Sequence, residues 1–319
     1  MIVFLTGLGL LLAAAAAALT LPSGLRAGRV FVTLTVAGSV IAAVPAVGVL
    51  SGRAVVSDMR WYAAIPGGDW VIGMDPLSAM FVLAIAILGS TNAVFENGYA
   101  RAGPQARGVR QANATYALLV AALLLVVTAQ STVLFLCAWE AMAISSFLLI
   151  VTDHEQAQVR RAGLIYIVMT HTAMLLLFVM FAVMAHGSAD WSFASLAELA
   201  GTAPGAGSIV LAMALVGFGA KAGFVPLHFW LPQAHAAAPS HVSALMSGVV
   251  IKTGIYGILR VLVLVGPPPA WWAWTVLALG VASALLGVLW ALAQHDIKRL
   301  LAYHSVENIG IILLGIGLG

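Results

Sequence analysis

The chain has 319 residues, of which 62% are hydrophobic and only 8% are charged, and its mean hydropathy is +1.07. Soluble domains carry about 25% charged residues, so this composition excludes a water-soluble fold and indicates a chain that faces lipid over most of its surface. The single cysteine, Cys137, excludes a disulfide and a metal site built from several cysteines.

Ten apolar runs come close to the length of a membrane-spanning helix, which needs about 20 mainly apolar residues. They are residues 2–21, 30–50, 75–95, 115–129, 132–152, 162–185, 207–222, 242–265, 271–293 and 299–319. The first run lacks a basic segment before it and a cleavage site after it, so it is predicted to be a span rather than a signal peptide. The longest polar stretch, residues 51–74, holds Pro66-Gly67-Gly68 and is predicted to be a loop. The sequence predicts an all-α, polytopic transmembrane helix bundle of about ten helices.

The basic residues are divided unequally between the two sides of these spans. Nine fall on one side: Arg26, Arg29, Arg101, Arg107, Arg110, Arg160, Arg161, Lys298 and Arg299. Three fall on the other side: Arg53, Arg60 and Arg260. Cytoplasmic loops carry the excess of Lys and Arg, so we expect a multi-pass protein of the inner (plasma) membrane with its N-terminus outside.

Three charged residues lie in or at the end of predicted spans: Glu140 in the fifth, Lys221 at the end of the seventh and Lys252 in the eighth. A charge at the bilayer centre costs about 2.5 to more than 10 kcal/mol. A stabilising ion pair, or a lysine that reaches to the interface, would account for one such residue. Stability explains three of them poorly, because apolar replacements of a buried pair are often equally stable. A proton path explains them better, since the proton affinity of such groups depends on burial and neighbouring charge.

Residues 217–241 interrupt the seventh predicted helix. Its helix-breaking residues are Gly217, Gly219, Gly223, Pro226, Pro232 and Pro239. Interrupted backbone at membrane depth is tolerated only against protein or a water-filled cavity, and transporters use it at ion sites. His228, His235 and His241 follow Lys221 in this segment at spacings that do not fit a zinc site. Each is a candidate for proton relay, with packing at the interface as the alternative.

Three weaker relay candidates lie elsewhere in the spans: His171, His304 and Glu307. His171 in the sixth span is a candidate relay member or a buried core histidine with its hydrogen bonds satisfied. Glu307 follows Arg299 at a distance that also suits a local network. No nucleotide-binding loop, cysteine cluster or flavin fingerprint occurs, so we expect no cofactor or metal in this chain.

Three long segments carry a resemblance to a known family: WEAMAISSFLLIVTDHE, KAGFVPLHFWLPQAHAAAPSHVSALMSGVVIKTGIYGILR and AQHDIKRLLAYHSVENIGIILLG. They resemble the antiporter-like membrane subunits of respiratory complex I, of Mrp sodium/proton antiporters and of membrane-bound nickel–iron hydrogenases. The residue sequence of the last two segments is most similar to subunits of the hydrogenase 4 and formate hydrogenlyase type. The resemblance extends over about residues 70–319.

The resemblance implies that Glu140, Lys221 and Lys252 are the proton-translocating residues. It also implies three parts: residues 1–114 with the first three helices, residues 115–265 as a half-channel of helices 4–8, and residues 266–319 as the start of a second, inverted repeat. The second broken helix of the family is not found before residue 319. We therefore expect a fragment, a truncated product or one piece of a split subunit.

The function expected from the resemblance is that of a proton-translocating, non-catalytic subunit in a redox-driven complex. Its partners would be other membrane subunits and the cytoplasmic arm of a hydrogenase or complex I-like assembly, where electron transfer takes place. A sodium/proton antiporter shares every motif and stays open as an alternative. A non-pumping membrane scaffold is a second alternative. Nucleic acid is not expected as a partner.

Overall fold

The structure, a computed structural model of the chain, describes residues 1–22, 24–53, 56–62, 69–102, 108–200 and 206–319. Arg107 and the turn Pro66-Gly67-Gly68 lie outside the described residues, as does the side chain of Arg101. Within them the chain forms the helices α1 (Ile2–Thr20), α2 (Leu25–Leu50), α3 (Pro76–Ala102), α4 (Val109–Thr128), α5 (Thr132–Ile150), α6 (Ala157–Met184), α7 (Phe193–Ala200), α8 (Ala206–Ala222), α9 (Leu231–Ala237), α10 (Ser240–Leu245), α11 (Lys252–Val265), α12 (Ala270–Leu292) and α13 (Ile297–Leu318).

The helices confirm the predicted fold class of a polytopic membrane bundle. In the described part of the chain, nine helical segments are long and apolar enough to cross a membrane, and Gly207–Ala222 is a shorter apolar helix. Several helices begin before or end after the predicted apolar run; α3 continues to Ala102 and α4 begins at Val109. Arginine and glutamine are good helix formers, so a helix continues through polar residues after its apolar run has ended.

A β-hairpin lies in the stretch that was predicted to be a loop. Strand β1 (Val56–Trp61) pairs antiparallel with β2 (Trp70–Met74), with Met59 opposite Ile72. The backbone nitrogen of Gln130 donates to the carbonyl of Val71 at 2.8 Å, which attaches the hairpin to the turn between α4 and α5. The polar composition of residues 51–74 concealed these short strands.

Packing divides the chain into two units, which differ from the three parts expected from the resemblance; that division stays a prediction. The first unit comprises Met1–Thr152 and Pro239–Val249, and the second comprises Asp153–Ala238 and Val250–Gly319. In the first unit, a Cβ atom on Gly7 would lie 2.5 Å from the backbone nitrogen of Ala42. In the second, one on Gly310 would lie 2.8 Å from the carbonyl of Gly280. Such small residues let membrane helices approach closely.

Candidate functional site

Lys221 lies at the end of α8 with only 1% of its surface exposed. Its Nζ atom donates to the hydroxyl of Tyr166 on α6 at 2.8 Å and lies 4.9 Å from the centroid of that ring. An ammonium group beside an aromatic ring gains further electrostatic stabilisation. The side chain therefore points into the second unit. It does not extend to the membrane–water interface, so that alternative is excluded for Lys221.

Trp230 is the second buried aromatic residue near Lys221, after Tyr166. Its ring centroid lies 5.2 Å from that of Tyr166, and both side chains are fully buried. The indole Nε1 donates to the carbonyl of Ala220 at 2.8 Å. The last carbonyls of a helix lack intrahelical partners, so this bond supplies a donor where α8 ends.

The predicted interruption of the seventh spanning helix is confirmed. Helix α8 ends at Ala222, and Gly223 follows with a φ of +75°, a conformation that favours glycine. The nitrogen of Val225 donates to Ser283 Oγ of α12 at 3.0 Å, so a side chain of another helix satisfies the interrupted backbone. Helix then resumes as α9 at Leu231, with Pro232 in its first turn.

Two glycines bring α11 against α8 beside Lys221. A Cβ atom on Gly254 would lie 2.5 Å from the carbonyl of Phe218 and 2.7 Å from the backbone nitrogen of Ala222. A Cβ atom on Gly257 would enter the ring of Phe218. Gly254 follows Lys252 by two residues and Ala222 follows Lys221 directly. The close approach therefore brings the helix segments that carry the two lysines together.

Lys252 is partly buried at the first turn of α11 and directly follows a π-helical turn, Met246–Val250, and Ile251. Such turns are rare and occur frequently at functional sites. His235 of α9 is 2% exposed and lies within reach of the charge on Lys252. Among the three histidines of the broken segment, His235 therefore interacts electrostatically with a lysine of the second unit.

His228 has a different environment. Its ring stacks on Trp290 of α12 with centroids 4.6 Å apart and an interplanar angle of 14°, and the centroid of Tyr303 lies at 6.5 Å. The side chain is half-buried. This arrangement favours the packing alternative for His228.

The three weaker candidates lie in two different surroundings. His171 is exposed on α6, with Nδ1 2.9 Å from the carbonyl of Ile167 in the same helix, so the described residues do not bury it. His304 and Glu307 lie together on α13, with Nδ1 of the imidazole 2.5 Å from Oε2 of the carboxylate. Their predicted relay role is untested and stays a prediction.

Glu140 lies on α5 of the first unit and is partly buried, beside the fully buried Trp139. Lys221 belongs to the second unit. The role of Glu140 in proton translocation stays a prediction.

Arg260 was counted among the basic residues on one side of the spans, and the structure places it inside a helix. It lies in α11 with 4% of its surface exposed, and its Nη2 and Nε atoms donate to the hydroxyl of Tyr256 at 2.8 and 3.1 Å. It is therefore not a loop residue. Arg53 and Arg60 remain on its predicted side, so the unequal distribution of basic residues persists without it.

The buried carboxyl of Glu96, which is 3% exposed on α3, was not among the predicted site residues. The third span was predicted to end at residue 95, one position earlier. His241, the third histidine of the broken segment, belongs to the first unit, with Nε2 3.5 Å from Oε1 of Glu96. Tyr166 and Trp230 were missed as well, because aromatic residues within apolar spans give no separate signal.

Comparisons with known proteins agree with the resemblance seen in the three segments. Over 252 residues the chain is 41% identical to hydrogenase-4 component B of Escherichia coli (strain K12), covering 78% of this chain and 37% of that protein. It is 33% identical over 183 residues to a Na(+)/H(+) antiporter subunit of Alkalihalophilus pseudofirmus, covering 56% of this chain and 37% of that protein. The solved structure of an archaeal membrane-bound sulfane sulfur reductase superposes with a TM-score of 0.85 at 22% identity, covering 99% of this chain and 64% of that chain.

The chain spans less than half the length of the curated relatives that it matches. The likeness to the sulfane sulfur reductase extends the shared fold over nearly all of the described helices. The family model for NADH:quinone oxidoreductase/Mrp antiporter transmembrane proteins matches residues 129–319, which include Glu140, Lys221 and Lys252. The chain belongs to the NADH:quinone oxidoreductase/Mrp antiporter transmembrane family.

Proposed function

We propose that the chain translocates protons across the membrane as a subunit of a redox-driven complex. The observation that carries the proposal is the buried ammonium of Lys221, which donates to Tyr166 directly before a helix break. Ionisable residues inside membrane segments mark ion paths by default. Family membership supports the same function.

Lys221 and Lys252 are the two residues that bind and release the proton along the proposed path. The contact of Gly254 with α8 brings their helix segments together, and His235 lies within reach of the charge on Lys252. The proton affinity of each group depends on burial and on the charge of its neighbours. A proton that leaves Lys221 therefore changes the affinity of Lys252 for the next one.

Glu140 is the proposed control group. When its carboxylate approaches Lys221, the charged ammonium is favoured; when it withdraws, that support is lost and the proton moves on. Electron transfer in partner subunits drives this change. The partners are the other membrane subunits and the cytoplasmic arm of a hydrogenase or complex I-like assembly, and this chain itself carries no redox cofactor.

We place the chain in the inner (plasma) membrane with its N-terminus outside. The support is the excess of basic residues near the ends of α2, α4, α6 and α13 on one side. The exposed Arg53 and Arg60 lie on the opposite side of α2 and α3.

The test is proton uptake per electron in vesicles that contain the assembled complex. Lys221→Met removes the charge at similar side-chain length, and Glu140→Gln removes the carboxylate. We expect uptake to fall at least tenfold in Lys221→Met and to fall in Glu140→Gln, with both variants still assembled. Unchanged uptake per electron in both would end the proposal in favour of a scaffold.

The chain offers one matched control, since its three lysines are Lys221, Lys252 and Lys298. Lys298 lies at the first turn of α13 and donates to the carbonyl of Ala238 at 2.9 Å, so Lys298→Met makes the same chemical change outside the proposed path. Uptake should stay near wild type in this control. Uptake driven by a sodium gradient without electron transfer would favour the antiporter alternative instead.

A further inference from the structure

A second buried acid lies in the first unit, apart from the residues used above. Glu96 on α3 is 3% exposed and His241 on α10 is 5% exposed, with Oε1 and Nε2 3.5 Å apart. The side-chain amide of Asn113 of α4 lies 2.5 Å from the same Oε1 atom and donates to it when the amide is oriented with its nitrogen toward the carboxyl. The ring of Tyr116 lies 6.0 Å from that of His241. Side chains from three helices thus converge on one carboxyl.

The polar atoms of this cluster are incompletely satisfied. Among the described residues, Oε2 of Glu96 and both ring nitrogens of His241 lack a hydrogen bond, so Nε2 and Oε1 are at ion-pair distance only. Nδ2 of Asn92, one turn before Glu96, lacks a hydrogen bond as well. Tyr116 does not serve them, because its hydroxyl donates to the carbonyl of Gly89 at 2.9 Å. A buried unsatisfied polar atom costs about 1–3 kcal/mol. A purely structural role explains such a cluster poorly.

Among the side chains that the structure describes on α2 and α4, the other charged groups point elsewhere. Arg110 of α4 is directed at the carbonyls of Ala18 and Leu19 at the end of α1, and Arg26 and Arg29 of α2 are exposed. Among the described residues, His241 is the ionisable side chain that lies at ion-pair distance from the carboxyl of Glu96. The imidazole of His241 is therefore its natural proton partner.

The cluster lies near one end of three helices. Glu96 precedes the end of α3 by six residues, or about 9 Å at 1.5 Å per residue. Asn113 lies close to the start of α4, and His241 is the second residue of α10. A proton on this pair has a short way to the membrane surface. Glu96 also lies outside the residues that the family model matches.

We propose that Glu96 and His241 form a proton-binding pair that exchanges protons with the nearby membrane surface. One proton shared by the two groups leaves the pair neutral, whether it resides on the carboxyl or on the imidazole in a carboxylate–imidazolium pair. Loss or gain of one more proton changes the net charge of the pair by one unit. The pair is a proton-binding site in addition to Lys221 and Lys252. Its proton occupancy does not depend on the proposed transport.

The test is an infrared pH titration of the assembled complex from about pH 5 to about pH 9, which spans several units on either side of neutrality. The wild-type spectrum minus that of Glu96→Gln isolates the carboxyl band of Glu96. We expect this band to be lost completely in the variant and to titrate in the wild type. His241→Gln, which keeps Glu96, should move the midpoint of that titration.

Three other outcomes of the titration would each overturn the proposed proton-binding pair. A Glu96 band that never titrates indicates a permanently protonated, structural carboxyl. The lack of any such band indicates a permanent carboxylate. A midpoint that is the same in His241→Gln shows that the imidazole is not coupled to it. Because the titration is an equilibrium measurement, its result stands even if Lys221→Met leaves proton uptake unchanged, so the two proposals fail separately.

Discussion

Gly254 of α11 lies so close to Ala222 of α8 that an added Cβ atom would come within 2.7 Å of the Ala222 backbone nitrogen. We predict that Gly254→Ala separates the two helices, because helix backbone cannot move aside as a flexible side chain can. Overpacking of this kind costs about 1–3 kcal/mol. Thermal unfolding in detergent should occur at a lower temperature, and proton uptake should fall at least severalfold.

Gly315→Ala is the matched control for this change. Gly315 lies in α13 of the same unit, and a Cβ atom there meets no described atom within 4 Å. Alanine is the better helix former by about 1 kcal/mol, so this variant should be as stable as the wild type or slightly more stable. Equal behaviour of the two variants would contradict a role for close helix approach at Gly254.

The hydroxyl of Tyr166 is the predicted determinant of how Lys221 is held. Tyr166→Phe keeps the ring below the ammonium but removes the hydroxyl that accepts its hydrogen bond at 2.8 Å. Hydrogen bonds to charged groups contribute about 1.5–3 kcal/mol. We expect a reduced proton-uptake rate and a displaced pH–rate profile, measured in vesicles over the neutral range.

Tyr62→Phe provides the comparison, since Tyr62 is 87% exposed. Its pH–rate profile should coincide with that of the wild type. A Tyr166→Phe profile that also coincides would show that the phenol only fills space beside Lys221.

The number of spans was predictable from sequence because the membrane sets their length. An apolar run of about 20 residues has few other uses, and all ten predicted runs correspond to helices. Gly223, Pro226 and Pro232 predicted the helix break for a similar reason, since glycine and proline act locally on the backbone.

Side-chain partners were not predictable in this way. Glu96 was missed because α3 continues past its apolar run. Arg260 was counted on one side of the membrane, although Tyr256 binds it within α11. Tyr166 lies 55 positions from Lys221 in sequence. Only the packing of α6 against α8 brings that pair together, and the sequence of one chain does not contain that information in a local pattern.

Two variants of His228 distinguish a packing role from a proton-relay role. His228→Phe keeps a flat ring for stacking on Trp290 but cannot carry a proton, whereas His228→Ala loses the stack. Aromatic pairs contribute about 0.5–1.5 kcal/mol beyond their buried area. We expect near wild-type uptake and stability for the first variant and lower stability for the second, measured by vesicle assay and thermal unfolding. Loss of uptake in His228→Phe would instead support the relay.

Trp230 is predicted to fix the position of the helix break. Trp230→Phe retains most of the buried ring but removes Nε1, which donates to the carbonyl of Ala220 at 2.8 Å. The carbonyl would then be buried with one partner fewer, at a cost of about 1–3 kcal/mol. Because Ala220 precedes Lys221, we expect both stability and proton uptake to fall.

The control for this last change is Trp274→Phe on α12, where the indole is 72% exposed. Thermal unfolding and vesicle uptake of this variant should match the wild type. The informative comparison is between the two readouts of Trp230→Phe. If unfolding shifts while uptake per assembled complex stays constant, the indole stabilises the fold without positioning Lys221; if both fall together, the hydrogen bond to Ala220 holds the lysine at the break.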